Sequence, residues 1–225
     1  MTLQTFHLGF DLPLRPGQLS QFAGAVATAV GWEEDLFHNH RGEEPDAAFH
    51  HRYPLIQYRV WKGKGELWAV GEGCEAIKRW LHQVPESLQI GKELMPLRIS
   101  KLREESHELA MLSEPHFYRL MDYMPFNQDN YKLWQEAPHL TARVELLERV
   151  LTGHALGFAS AMAYQLPERL ELHLMSIRET RQLRFRQHSR LGFNLIFRAN
   201  LALPDHMALG HHVSRGFGVV SIAGG

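Results

Sequence analysis

The stretch 53-YPLIQYRVWKGKGELWAVGEGCEAIKRWLHQV-84 decides the fold of this chain. Leu55, Gln57 and Arg59 alternate with Ile56, Tyr58 and Val60, the period-two pattern of a β-strand. Pro54 stands near its start, where a missing backbone donor does least harm. KGKG then reads as a turn and ELWAV as a further short strand. Beyond it, Ala76, Ile77, Trp80, Leu81 and Val84 fall along one helical face. The stretch is therefore strand, turn, strand, helix.

Working outward, 3-LQTFHLGF-10 is mostly apolar and extended. Pro16 and Gly17 punctuate, and Leu19, Phe22, Ala23, Val26 and Val30 then recur at helical spacing before Gly31, a natural stop. Downstream, MPLRISKLREESHEL supplies a last strand. The order strand, helix, strand, strand, helix, strand is the split βαβ arrangement of a ferredoxin-like, or RRM-like, domain. Residues 1–108 are assigned to it. Pro115, Pro125 and polar runs make 109–128 a linker or crossover. Residues 129–225 read as a second, less regular βαββαβ unit. Its helix begins near Asn130, is divided by Pro138, and carries the stripe Leu140, Val144, Leu147, Val150 and Leu151; strands follow in ERLELHLMSI, RLGFNLIFRANLALP and GFGVVSI. The predicted class is α+β, with two tandem ferredoxin-like domains.

Composition bounds the function. Of 225 residues, 44% are hydrophobic and 22% charged, enough apolar material for a real core. No run approaches the ~20 apolar residues of a bilayer span, and the N-terminus does not read as a signal peptide. One cysteine, Cys74, excludes an internal disulfide and a cysteine zinc cage. These features predict a cytoplasmic protein without membrane contact. The net charge of −1 hides an asymmetry. Arg178, Arg181, Arg184, Arg186, Arg190, Arg198 and Arg215 are opposed only by Glu179 and Asp205 between Ser176 and Arg215. Such a face suits a polyanion, or is simply solvated.

Four of the fifteen histidines lie between 38 and 51: the His-x-His of His38 and His40, and the adjacent His50 and His51, with Tyr53 close behind. In an extended segment residues i and i+2 point to one side, so His38 and His40 could face one phosphate together; on a helix they would diverge. Near the C-terminus, Gly210, Gly216 and Gly218 flank His211, His212 and Arg215 ahead of an apolar strand. Exposed backbone N–H groups there could hold phosphate, with arginine adding charge-assisted bonds. A glycine-rich hairpin turn is the alternative.

Three stretches now assemble: LFHNH…RYPLIQYR at 36–59, GFNLIFRANLALP at 192–204 and LGHHVSRGFGVV at 209–220. Together they resemble the CRISPR-associated endoribonucleases that process precursor repeat RNA, within the repeat-associated RAMP superfamily of paired ferredoxin-like domains. The resemblance implies metal-independent cleavage with no cofactor, and catalytic roles for His38, His40 and Tyr53. It implies CRISPR repeat RNA as partner, together with effector proteins of such a system, and a monomer or homodimer. Related enzymes add a lysine near the reacting phosphate, but no lysine precedes Lys62 here, so Arg41 or Arg52 stands in its place. RNA contacts fall to Arg41, Arg52, Arg184, Arg186, Arg190, Gly210, His211, His212, Arg215, Gly216 and Gly218.

The chemistry suits these residue types. RNA carries its own nucleophile, and a 2′-hydroxyl in line with the adjacent phosphorus needs one group to take a proton and another to protonate the leaving 5′-oxygen. An imidazole with a pKa of about 6.5 does either near neutrality. A cation or phenol nearby stabilises the phosphorane. The products are a 2′,3′-cyclic phosphate and a 5′-hydroxyl. Two other readings remain open. One is a non-catalytic RNA-binding subunit of a CRISPR ribonucleoprotein. The other is a metal-dependent hydrolase whose His-x-His pair is completed by Asp35, Glu43 and Asp46.

Overall fold

The computed structural model describes residues 1–31, 34–38, 53–185 and 188–223. The chain divides into two compact units. One comprises Thr2–His107 with Ser214–Gly216; the other comprises Met1, Glu108–Val213 and Phe217–Gly225. Each is an antiparallel sheet backed by helices, the tandem ferredoxin-like α+β architecture.

In the first unit β1 (Thr2–Pro13) is followed by α1 (Leu19–Val30), the short α2 (Asp35–His38), β2 (Ile56–Trp61), β3 (Lys64–Val70) and α3 (Glu72–Leu81). A small hairpin, β4 (Ser87–Ile90) and β5 (Glu93–Pro96), precedes β6 (Ile99–Glu108). The sheet order is β2-β3-β1-β6, the ferredoxin-like order. Between β2 and β3, Lys62 and Gly63 have φ of 50° and 76°, which makes a two-residue type I′ turn whose twist matches the paired strands. Gly31 ends α1 at φ 92°, with its N–H bonded to the Ala27 carbonyl. Alternation places Phe6, Leu8 and Phe10 of β1 with Ile56, Tyr58, Leu67 and Ala69 in one core, against Phe22 and Val26 of α1 and Ile77 and Trp80 of α3. The other face of the sheet is also buried, although it is polar: His7, Gln57, Arg59 and Glu66 are each at most 6% exposed, around a fully buried Trp68.

The second unit contains β7 (Met111–Tyr123), α4 (Gln128–Glu136), α5 (Leu140–Ala161), β8 (Leu172–Phe185), β9 (His188–Leu201) and β10 (Val219–Ile222), in sheet order β10-β7-β9-β8. That is again the ferredoxin-like order. Where the second crossover helix would stand, between β9 and β10, the chain has only a 3-10 turn at Val213–Arg215. The inner face buries Tyr118, Leu120, Tyr123, Phe193, Leu195 and Phe197, and α5 buries Leu147, Leu151 and Phe158. Among the described residues no helix is long and apolar enough to cross a membrane.

Three sequence expectations need correction. The span 109–128 is not a linker, because it contains the thirteen-residue β7. Pro115 lies where the β7–β9 register shifts between Met111 and His116, a bulge that tolerates a residue without an N–H. Leu140 does not belong to the buried stripe of α5, being 71% exposed at the first turn, where the helix has only begun to meet the sheet. Finally, His38 is not in an extended segment but is the last residue of α2, so the i, i+2 argument does not apply at that residue.

Candidate active site

Four of the sequence-derived site residues, His40, Arg41, Arg52 and Arg186, lie outside the described residues. His38 and Tyr53 are placed by the first unit. The Nε2 of His38 donates to the Gly31 carbonyl at 2.9 Å, fixing the ring against the end of α1. Three contacts hold α2 itself. Tyr58 donates its hydroxyl to the Phe37 carbonyl at 3.0 Å. The Phe37 ring packs edge-on against Trp80, with centroids 5.8 Å apart. Arg79 forks onto Glu34 with two bonds of 3.0 Å. Burial pushes the Tyr58 phenol far up, so it stays protonated and remains a donor.

Tyr53 begins a polar chain on the second face of that sheet. Gln57 Nε2 donates to Tyr53 Oη at 2.8 Å, Arg59 Nη2 donates to Gln57 Oε1 at 2.6 Å, and the Arg59 guanidinium sits 5.4 Å from the Trp68 ring centroid. Farther along the face, Glu66 lies 3.5 Å from both His7 Nδ1 and Lys101 Nζ. Burial raises the Glu66 carboxyl, but the bond from His7 and the charges of Lys101, His7 and Arg59 outweigh it and hold it below its ordinary value. Tyr53 is thus an oriented phenol rather than an apolar core aromatic.

The residue that sequence reasoning misplaced is Arg215. The sequence groups it with the glycine tail, but Ser214–Gly216 packs with the first unit. Its guanidinium lies 5.8 Å from the Tyr58 ring centroid, and Gly216, at φ 77°, approaches the Tyr58 carbonyl so closely that a Cβ would stand 3.1 Å from it. Tyr58 is the same residue that anchors α2 one position before His38. A long-range packing contact of this kind leaves no local signal in the sequence.

The remaining tail residues belong to the second unit. Tyr123 Oη lies 2.8 Å from His154 Nδ1; burial raises the phenol well above its ordinary value, so it donates to the ring nitrogen. Burial, helped by the neighbouring His211, lowers the His154 pKa to about 4. The His211 ring meets His154 edge-on at 5.6 Å, and its own pKa is lowered by burial and by Arg190. His212 stacks on Phe185 at 3.9 Å. Gly210 and Gly218 have φ of 100° and 70°; a Cβ would stand 2.7 Å from the Tyr123 ring at Gly210 and 1.8 Å from the Leu209 carbonyl at Gly218. Both glycines are therefore demanded by the chain's own packing, with no ligand invoked. Arg184 and Arg190 are exposed near the end of the β8–β9 hairpin, where Leu183 pairs with Arg190 and Arg184 with Ser189. Arg181 is drawn out of the cationic set by an ion pair with Asp122.

For the metal reading, Asp35 lies on α2 with His38, while His40, Glu43 and Asp46 lie outside the described residues. Among the described residues no group of three or more metal-ligating side chains converges.

Two ferredoxin-like units in tandem define the class as a paired-domain α+β protein. The particular family follows from direct comparison. The Cas6b N-terminal domain family matches residues 1–108 and the Cas6b C-terminal domain family matches residues 110–223, so this chain belongs to the Cas6b family. A crystal structure of Cas6b superposes with a TM-score of 0.88 at 23% identity, covering 99% of this chain and 100% of that one. A crystal structure of the CRISPR RNA processing endoribonuclease Cas6b gives 0.76 at 19% identity over 99% and 100% of the two chains. Csf5, a type IV CRISPR-Cas Cas6 crRNA endonuclease, gives 0.56 at 16% identity over the full length of both. An uncharacterized protein of Methanocaldococcus jannaschii, MJ0978, is 29% identical over 98 residues, covering 44% of this chain and 65% of that relative's length.

Proposed function

We propose that this protein is an endoribonuclease that cuts precursor CRISPR repeat RNA into guide RNAs, acting in the cytoplasm without a metal ion. Membership of the Cas6b family through both halves of the chain carries the reading. The 2′-hydroxyl attacks the adjacent phosphorus, and His40 and His38, in opposite protonation states, take its proton and protonate the 5′-oxygen. The tie from His38 to the Gly31 carbonyl supports an oriented role for that ring. Arg215 supplies the charge that the absent lysine would have given; its stacking on Tyr58, the tether of α2, supports this. Tyr53, fixed by Gln57, donates toward the phosphate. Arg41, Arg52, Arg184, Arg186 and Arg190 hold the RNA backbone, with His211 and His212 beside them.

Incubation with a repeat transcript from the same genome, in excess chelator, tests this. The reading predicts cleavage to a 5′-hydroxyl product, a rate lowered roughly 10²-fold by Arg215→Ala, and partial recovery with Arg215→Lys. Binding without any cutting would make the chain a passive RNA-binding subunit. Cutting that stops with the chelator would make it a metal enzyme.

A further inference from the structure

The face of the second sheet that turns away from α5 carries cations and apolar groups together. Phe117 and Met121 of β7 are 45% and 46% exposed, and Arg119, Arg178 and Arg198 are exposed beside them. Register puts Phe117 opposite Arg198 and Arg119 opposite Ile196, on β7 and β9, the two central strands. A cavity of about 530 Å³ lies on this face, lined in part by Arg119, Met121, Arg178 and Ile196. Two nearby carboxylates are already engaged. Glu179 accepts from Asn194 Nδ2 at 2.6 Å, and Asp122 pairs with Arg181. Among the described residues Arg119, Arg178 and Arg198 form no ion pair with a carboxylate.

Exposed aromatic and guanidinium groups across the central strands of a four-stranded antiparallel sheet match what an unpaired nucleic acid strand requires. Bases stack on the ring and on guanidinium planes, while the cations follow the phosphates. A protein partner would find three adjacent unpaired arginines on its contact surface, whereas a polyanion is favoured by them. We propose that this face is a second RNA subsite, separate from the histidine-bearing unit, that binds a single-stranded segment of the substrate by stacking on Phe117 and by phosphate contacts from Arg119, Arg178 and Arg198. The identity of the natural strand, an unpaired part of a repeat transcript, rests on the nuclease reading above.

The test is fluorescence anisotropy of the full chain with a labelled, unstructured uridine oligonucleotide of about ten residues, which is long enough to cross the sheet. Phe117→Ala should weaken binding about tenfold and Phe117→Trp should restore it. The double variant Arg119→Ala/Arg198→Ala should weaken binding and flatten the logarithmic salt slope by about 1.4, from two lost phosphate contacts on a single strand. All three positions are exposed, so the fold is not at issue. Unchanged affinity in these variants would overturn the subsite, as would a wild type that does not bind the oligonucleotide. A double variant that loses self-association but keeps its RNA affinity would assign the face to a second copy of the chain and would equally overturn it. Oligonucleotide binding as expected, combined with no cutting of repeat RNA by the wild type, would remove the nuclease reading and leave the subsite standing.

Discussion

The two sheets share one strand order but treat the face away from their core helices in opposite ways. On the first, His7, Gln57, Arg59 and Glu66 are shut in and bonded to one another or to Tyr53 and Lys101. On the second, Phe117, Arg119, Met121 and Arg198 lie in solvent. Polar groups that are enclosed and paired hold a geometry, whereas exposed cations without carboxylate partners are available to a ligand. On the proposed reading the first unit positions the chemistry, and the exposed cations of the second add to the grip on the RNA.

Substitutions can break that division. The largest effect is expected at His40. His40→Ala should slow single-turnover cleavage roughly 10²- to 10⁴-fold with little change in RNA affinity, measured by gel assay and filter binding. A loss of affinity instead would place RNA grip on the first unit. Next comes Glu66→Ala, which removes the buried carboxylate that faces His7, Lys101 and Arg59 and should cost about 3 kcal/mol in denaturant unfolding. Because the Glu66 pKa is depressed on folding, its contribution is present above the ordinary value of 4.5 and lost as pH falls below it. An acid titration of stability that is unchanged in Glu66→Gln would contradict the enclosed network.

In the second unit the sign is the same but the group is a histidine. His154 is neutral when folded, with a pKa near 4 against an ordinary 6.5. Stability from it is complete above 6.5 and declines as pH falls toward 4, by about 3 kcal/mol over the window. His154→Gln should flatten that slope. Smaller again is Gly218→Ala, at φ 70° with the Leu209 carbonyl in the way, which should cost about 2 kcal/mol. The smallest effect belongs to Leu140→Ala. At 71% exposure it should move the unfolding midpoint by no more than about 0.5 kcal/mol.

Local physics made much of the fold readable. The I′ turn at Lys62 and Gly63, the stripe of α3 and the stop at Gly31 each follow from a few neighbouring residues. Strand β7 was hidden because its proline sits in a bulge and because half of its residues face solvent, which weakens the alternation. The four-residue α2 is shorter than any periodic signal, so the segment at His38 passed for extended chain. Arg215 was legible as a cation but not as a neighbour of Tyr58, since that contact joins residues 157 positions apart. Likewise Gly210 and Gly218 were legible as glycines, while the ring and carbonyl that require them were not.

One measurement tests the chemistry most directly. A repeat RNA is prepared with a single deoxyribose immediately 5′ of the scissile phosphate and offered to the protein beside the unmodified transcript. The account predicts that the modified strand binds with equal affinity and stays whole, while the unmodified one ends in a 2′,3′-cyclic phosphate. Cleavage of the deoxy strand at the same position would contradict attack by the RNA's own hydroxyl.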